Sequence, residues 1–200
     1  AIEEKKQEIN ELNVFPVPDG DTGTNMSMTL NAAAAELMKF EKPTLGKAVD
    51  LTSSALLRGA RGNSGVITSL LFRGFGKRLK ELGGANAQEF AEALQEGVNT
   101  AYKAVMKPTE GTILTVSRLA AEGALKEAAS NGEVDEVLSA AIAAAREALE
   151  NTVEQNPVLK KAGVVDAGGM GFVVVLQAML DELQGIPAPQ SGQEEAKPQE

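Results

Sequence analysis

Apolar residues recur every three or four positions along this chain, and that period constrains the fold more than any other feature. It is cleanest at Val134, Val137, Leu138, Ala141, Ile142, Ala145 and Leu149, which mark one face of a single helix. The same spacing joins Met26, Leu30, Ala33, Leu37 and Phe40, and again Phe90, Leu94, Val98, Ala101, Tyr102 and Val105. Further helices are read over 2–12, 44–58, 66–79, 113–129 and 172–183. Local signals punctuate them: Asn86 with Glu89 as a capping box, Asn156 before Pro157 at a first helical position, and stops at Gly83-Gly84 and Asn131-Gly132. The best strand candidate, Val173-Val174-Val175, sits inside a longer helical stretch. No repeat of 20 to 50 residues is present, so the expected fold is an all-α bundle of about eight helices rather than a solenoid. The bundle is expected over 1–184. From 185 to 200 Pro, Gln, Gly, Glu and Lys dominate without an apolar pattern, which reads as a disordered tail or an interdomain linker.

The breaks between helices carry the unusual chemistry. The first, Asn13-Val14-Phe15-Pro16-Val17-Pro18-Asp19-Gly20-Asp21-Thr22-Gly23-Thr24-Asn25, sets two carboxylates two residues apart beside glycines. Its prolines cannot continue a helix and bias the preceding residues toward extended geometry. The second, Arg58-Gly59-Ala60-Arg61-Gly62-Asn63-Ser64-Gly65, and the third, Gly163-Val164-Val165-Asp166-Ala167-Gly168-Gly169-Met170-Gly171, are glycine-rich and lead into apolar helices. A helix start offers unpaired N–H groups and a partial positive charge, which together suit a phosphate. If helices alternate up and down, these starts collect at one end of the bundle. Each break also has a plainer reading: a surface turn with Asp21 or Thr22 as N-cap, an ordinary cap at Asn63-Ser64, close helix packing at Gly168-Gly169-Met170-Gly171, and solvated arginines at Arg58 and Arg61.

Composition narrows the chemistry. The chain has no histidine and no cysteine, so a His general base, a thiol nucleophile and His- or Cys-ligated metal are excluded. A bound metal would take oxygen ligands, as magnesium, calcium or manganese do. A formal charge of −9 argues against a nucleic-acid surface. An acidic chain that binds a polyphosphate needs cations between the two, with magnesium as the usual bridge. Neither the G-x-x-x-x-G-K-[ST] nor the strand-following G-x-G-x-x-G signature occurs. No apolar run reaches the roughly 20 residues that span a bilayer. No signal-peptide pattern opens the chain, the start at Ala1 reads as trimmed, and a cytoplasmic setting is expected.

Taken together, the three motifs resemble the N-terminal ATP-binding domain of bacterial fatty acid kinase, which is related to the nucleotide-binding L subunit of dihydroxyacetone kinase. The resemblance covers roughly residues 1–184. It implies a barrel-like bundle of eight antiparallel amphipathic helices with ATP or ADP and two Mg2+ ions at one end. It puts Asp19 and Asp21 in the place of metal-binding carboxylates, and Thr22, Thr24 and Asn25 beside the metals and phosphates. Asn63, Ser64 and Gly65 match the phosphate loop, Thr112 and Ile113 lie near the nucleotide, and Asp166, Ala167 and Gly168 match a second nucleotide loop. Asn13 is the nearest match to a further upstream metal-ligating Asp of the L subunits, with a spacing one residue different. The L subunits' His after the metal carboxylates is Thr22 here, which favours the fatty acid kinase branch.

The implied reaction passes ATP's γ-phosphoryl group to the carboxylate of a fatty acid held by a separate fatty-acid-binding carrier protein, giving an acyl phosphate. A carboxylate is already ionised near pH 7, so its attack needs no general base and a chain without histidine loses nothing. Catalysis would then rest on Asp19, Asp21 and magnesium, with Arg61 as a candidate for stabilising the transferring group. The alternatives are an L subunit of the dihydroxyacetone kinase type, and a nucleotide-binding regulatory module that turns over nothing in isolation.

Overall fold

The computed structural model describes residues 1–130 and 132–187, all helices and connections among the described residues. Asn131 and residues 188–200, which hold part of one helix stop and most of the expected tail, lie outside the described residues. The helices are α1 (Ile2–Glu11), α2 (Thr22–Leu37), α3 (Leu45–Gly59), α4 (Gly62–Leu79), α5 (Ala87–Ala104), α6 (Ile113–Ala128), α7 (Val134–Gln155), α8 (Pro157–Ala162) and α9 (Ala167–Leu183). The expected all-α, barrel-like bundle is what forms. The short α8 is the ninth member, opened by Pro157 with Asn156 capping Val158 N at 3.0 Å.

Each long helix packs on its successor from α1 through α7, and α9 returns against α1, α2, α6 and α7. That return closes the ring. The periodic faces point inward: Met26, Val116, Val137, Leu138, Ala141, Phe172 and Leu176 share one core cluster. A fully buried Leu or Val side chain contributes about 1.5–3 kcal/mol, so these faces decide how the helices assemble. Small residues set the tightest crossings. At the α4–α5 crossing, a Cβ on Gly74 would fall 2.3 Å from the Glu96 carbonyl oxygen, and one on Gly97 would fall 2.4 Å from that of Leu71.

The caps expected at Asn86 and Glu89 form, with Asn86 Oδ1 accepting from Glu89 N at 2.9 Å and Glu89 Oε2 from Asn86 N at 3.0 Å. One boundary differs from the sequence reading. α9 begins at Ala167, not at 172, so Gly168, Gly169 and Gly171 are helical. The plainer packing reading holds for them. A Cβ on Gly171 would meet Met26 Sδ at 2.4 Å, and one on Gly169 would meet Val116 Cγ2 at 2.9 Å. Helix propensity disfavours glycine, but a ring that must close on α2, α6 and α7 has no room for larger side chains here. Val173-Val174-Val175 lies in the same helix. No described helix is long and apolar enough to cross a membrane.

Candidate functional site

The connection from α1 to α2 is built around two asparagines. Asn13, nearly buried, accepts from Asp21 N at 3.0 Å and Thr22 N at 3.2 Å through Oδ1, and donates from Nδ2 to the Val17 carbonyl at 2.9 Å. Asn10 grips Thr24 twice, donating to Oγ1 and accepting from the backbone N, both at 3.0 Å. Gly20 takes φ +67°, a left-handed turn that glycine adopts freely. These bonds satisfy the N–H groups of Thr22 and Thr24 in the first turn of α2. Asp21, at the N-cap position, makes no side-chain cap bond. Asp19 and Asp21 thus present carboxylates that no described group engages by hydrogen bond or ion pair, Asp19 exposed and Asp21 half-buried.

α2 also braces the start of α4. Thr29 Oγ1 donates to Asn25 O at 2.7 Å and accepts from Arg61 N at 3.1 Å. Gly62, at φ +59°, lets the Asn25 amide lie where a Cβ would stand, with Nδ2 only 2.4 Å from that point. Arg61 caps α4 in position only, with no side-chain bond to the helix start. Gly65 N reaches Arg61 O at 3.0 Å. The preceding N–H groups of the first turn, those of Gly62, Asn63 and Ser64, have no acceptor among the described residues. An uncapped helix start of this kind is an anion site in waiting.

The other two starts are capped. Thr112 accepts from Leu114 N at 3.4 Å at the head of α6. Asp166 accepts from Gly169 N at 2.8 Å at the head of α9, while its own N donates to Thr152 Oγ1 at 3.1 Å. Only 5% exposed, Asp166 has its carboxyl pushed up to about 6 by burial, with the N–H groups of Gly169 and Ile113 pulling the other way.

The three breaks meet at one cleft of about 450 Å³. Asn13, Asp19, Asp21, Thr22, Asn63, Ser64, Thr112, Ile113, Asp166 and Gly168 all line it. Thr24, Asn25, Gly65 and Ala167 stand one layer behind and shape the starts of α2, α4 and α9. Asn13 faces the cleft with its amide oxygen already shared by two N–H groups, so here it organises the turn rather than offering a free metal-binding oxygen. Arg61 is not brought in: it is exposed and its guanidinium folds back on the Ala60 carbonyl at 3.1 Å. Phe15, Pro16, Val17, Val66, Ile67, Val105 and Leu114 give the cleft an apolar wall, and Lys107 and Thr109 complete it. Neither of the last two stood out in the sequence, where they belonged to an unremarkable proline-bearing break. Asn10 and Thr29, the braces, were equally silent; a polar side chain that bonds another helix's backbone has no local pattern.

The DAK2 domain model matches residues 16–181. The chain belongs to the DAK2 domain family. Its sequence is 49% identical over 182 residues to protein YloV of Bacillus subtilis, covering 91% of this chain and 33% of that protein. It is 48% identical over 177 residues to an uncharacterised protein, SSP1546, of Staphylococcus saprophyticus, covering 88% and 32%. Among solved structures it resembles the native form of the dihydroxyacetone kinase of C. freundii, with a TM-score of 0.67 and 25% identity over 90% of this chain and 32% of that one. This DAK2 domain thus spans about a third of the length of the relatives it matches.

As to metal, the described residues hold no group of three or more carboxylates at one point. What they hold is a pair of unengaged carboxylates on one turn, facing a cleft with a free helix start. A hard cation that keeps several ligands for phosphate oxygens and water fits such a pair, as magnesium does.

Proposed function

We propose that this DAK2 domain is the nucleotide-binding part of a kinase: it holds Mg-ATP in the cleft and supplies the γ-phosphoryl group to a fatty acid carboxylate presented by a separate carrier protein. The observation that carries this reading is the convergence of the Asp19-Asp21 turn and the uncapped α4 start on one cleft, in a fold shared with a dihydroxyacetone kinase.

The chain's own groups divide the work. Asp19 and Asp21 would hold two magnesium ions, and these would neutralise the phosphate oxygens and polarise the bond to be broken. The unpaired N–H groups of Gly62, Asn63 and Ser64 would hold the phosphates, and glycine at 62 lets the Asn25 amide pack against this helix start. Val17, Val66, Ile67, Val105 and Ile113 offer apolar surface for the base. Asp166 and Thr112 fix the starts of α9 and α6 so that this surface keeps its shape. No cleft residue is needed as a general base, because a carboxylate acceptor arrives ionised.

The fatty acid as acceptor rests on the motif resemblance and on Thr22 standing where the L subunits carry His. A dihydroxyacetone-type acceptor is the second reading, favoured by the structural match. Isothermal titration of the domain with ATP and ADP, with and without magnesium, tests the nucleotide reading. Magnesium-dependent binding is expected; its absence would end the reading. Supplying a fatty acid with its carrier, or dihydroxyacetone with its binding subunit, to the full-length protein then decides the acceptor by which one is phosphorylated.

A further inference from the structure

We infer that Lys107 is the nucleotide-binding cation of this cleft, meeting the phosphate chain that the Asp19-Asp21 turn would hold through magnesium. The inference rests on the nucleotide reading above and adds a residue to it.

The chain carries 28 acidic and 19 basic residues, and the cleft lining repeats that bias with Asp19, Asp21 and Asp166. Among the described residues that line the cleft, Lys107 is the one cation. Several basic side chains elsewhere are committed to carboxylates: Arg78 to Glu92, Lys80 to Asp50, Lys77 to Glu96, and Arg118 to Glu110 and Glu122. Lys107 lies within ion-pair distance of no carboxylate among the described residues. An ammonium without a carboxylate partner, on the lining of a cleft that also carries Asp19, Asp21 and Asp166, is available to a ligand that brings its own negative charge.

Geometry comes next. Between α5 and α6, Val105, Lys107 and Thr109 line the cleft, whereas Met106 does not and is 96% exposed. The chain bends at Met106 and Lys107, just before Pro108. The far end of the segment is pinned. Glu110 accepts from Tyr102 Oη at 3.0 Å, Thr115 Oγ1 at 2.6 Å and Arg118 at 3.0 Å, and Gly111 N donates to Thr115 Oγ1 at 2.8 Å. Burial pushes the Glu110 carboxyl up, but the bonds from Thr115, Arg118 and Tyr102 outweigh it and hold it below its ordinary value. The hub therefore stays ionised and keeps the segment in place. Its near end is tied by Val105 N to Ala101 O at 3.1 Å. A lysine on a segment held at both ends aims a flexible point charge, the form of cation that suits a phosphate whose exact position shifts during transfer.

The test is calorimetric titration of Mg-ATP into the wild-type domain, Lys107→Met and Lys107→Arg, at low and moderate salt, with thermal melts of all three. Met is expected to weaken binding by about tenfold or more, and Arg to stay within about threefold of wild type. The wild-type affinity is expected to fall more steeply with salt than that of the Met variant, and all three Tm values to agree, because the side chain is exposed. Equal affinity in Lys107→Met would overturn the inference while leaving the nucleotide reading intact. So would a loss that Arg does not restore, or one that follows a lowered Tm. A wild-type domain that binds no nucleotide would overturn the nucleotide reading and this inference together.

Discussion

Asp21 and Asp166 occupy the same formal position, the N-cap of a helix whose first turn lines the cleft, in motifs of similar composition. Their surroundings make them opposites. Asp166 is buried, accepts from Gly169 N and has its pKa raised to about 6. Asp21 is half-buried and makes no cap bond, and Asn10 accepts the Thr24 N–H that a cap at this position would take. The lesson is that a neighbour's side chain decides whether an N-cap carboxylate becomes part of the scaffold or remains free for a ligand. The glycines diverge in the same way. Gly20 and Gly62 adopt left-handed φ to shape an open turn, whereas Gly169 and Gly171 are helical and merely thin.

Removing the free carboxylates is the strongest way to sharpen that contrast. The double variant Asp19→Ala/Asp21→Ala is expected to lose magnesium-dependent nucleotide affinity by about a hundredfold or more, roughly 3 kcal/mol, with an unchanged melting curve. Calorimetry and circular dichroism read the two halves, and a collapse of helical content would put Asp21 in the scaffold beside Asp166.

Thickening the other region should do the reverse. Gly169→Val forces a branched side chain against Val116 and Leu149, whose nearest atoms lie 2.9 and 3.1 Å from a Cβ. Overpacking of this kind costs about 2–3 kcal/mol, to be read as a lower urea midpoint. Unaltered stability would mean that the α9 start is not the packed element described here.

Asp166→Asn gives a distinctive pH signature. The folded pKa, about 6, lies above the unfolded value near 3.8, so the native state holds the proton more tightly. That contribution is complete below about pH 4 and is lost as pH rises through about 6. Wild-type stability should therefore decline across this window by about 3 kcal/mol from this group. Asn keeps an oxygen for Gly169 N and cannot titrate, so its variant should show a flatter profile and higher stability at pH 8. Urea titrations at pH 4, 6 and 8 measure it; parallel profiles for the two proteins would remove the buried-charge account of Asp166.

Much of the fold was legible because its signals are local. The 3.6-residue spacing around Leu138 and Ile142, the Asn86–Glu89 box and the Asn156-Pro157 start each depend on residues within a turn or two. The α9 boundary was misread at 172 because glycine lowers helix propensity, and the packing that overrides propensity comes from Met26, Val116 and Leu149, far away in sequence. The site was legible where its residues sit in motifs, as Asp19, Asp21, Asn63, Ser64 and Asp166 do. Arg61 carried the right charge in the right motif and still turns back on its own loop. Lys107 had no motif and reaches the cleft.

By itself, then, the sequence determined an all-helical chain, oxygen-only metal chemistry and three polar breaks rich in glycine. Only the tertiary structure decided that those breaks share a cleft, since that depends on α9 returning to α1. It alone decided which aspartate caps and which stays free, because Asn10 on α1 takes the Thr24 N–H that Asp21 could have capped. Hydrogen bonds within a turn follow from neighbouring residues; competition for one N–H between two parts of a chain is settled only once they meet.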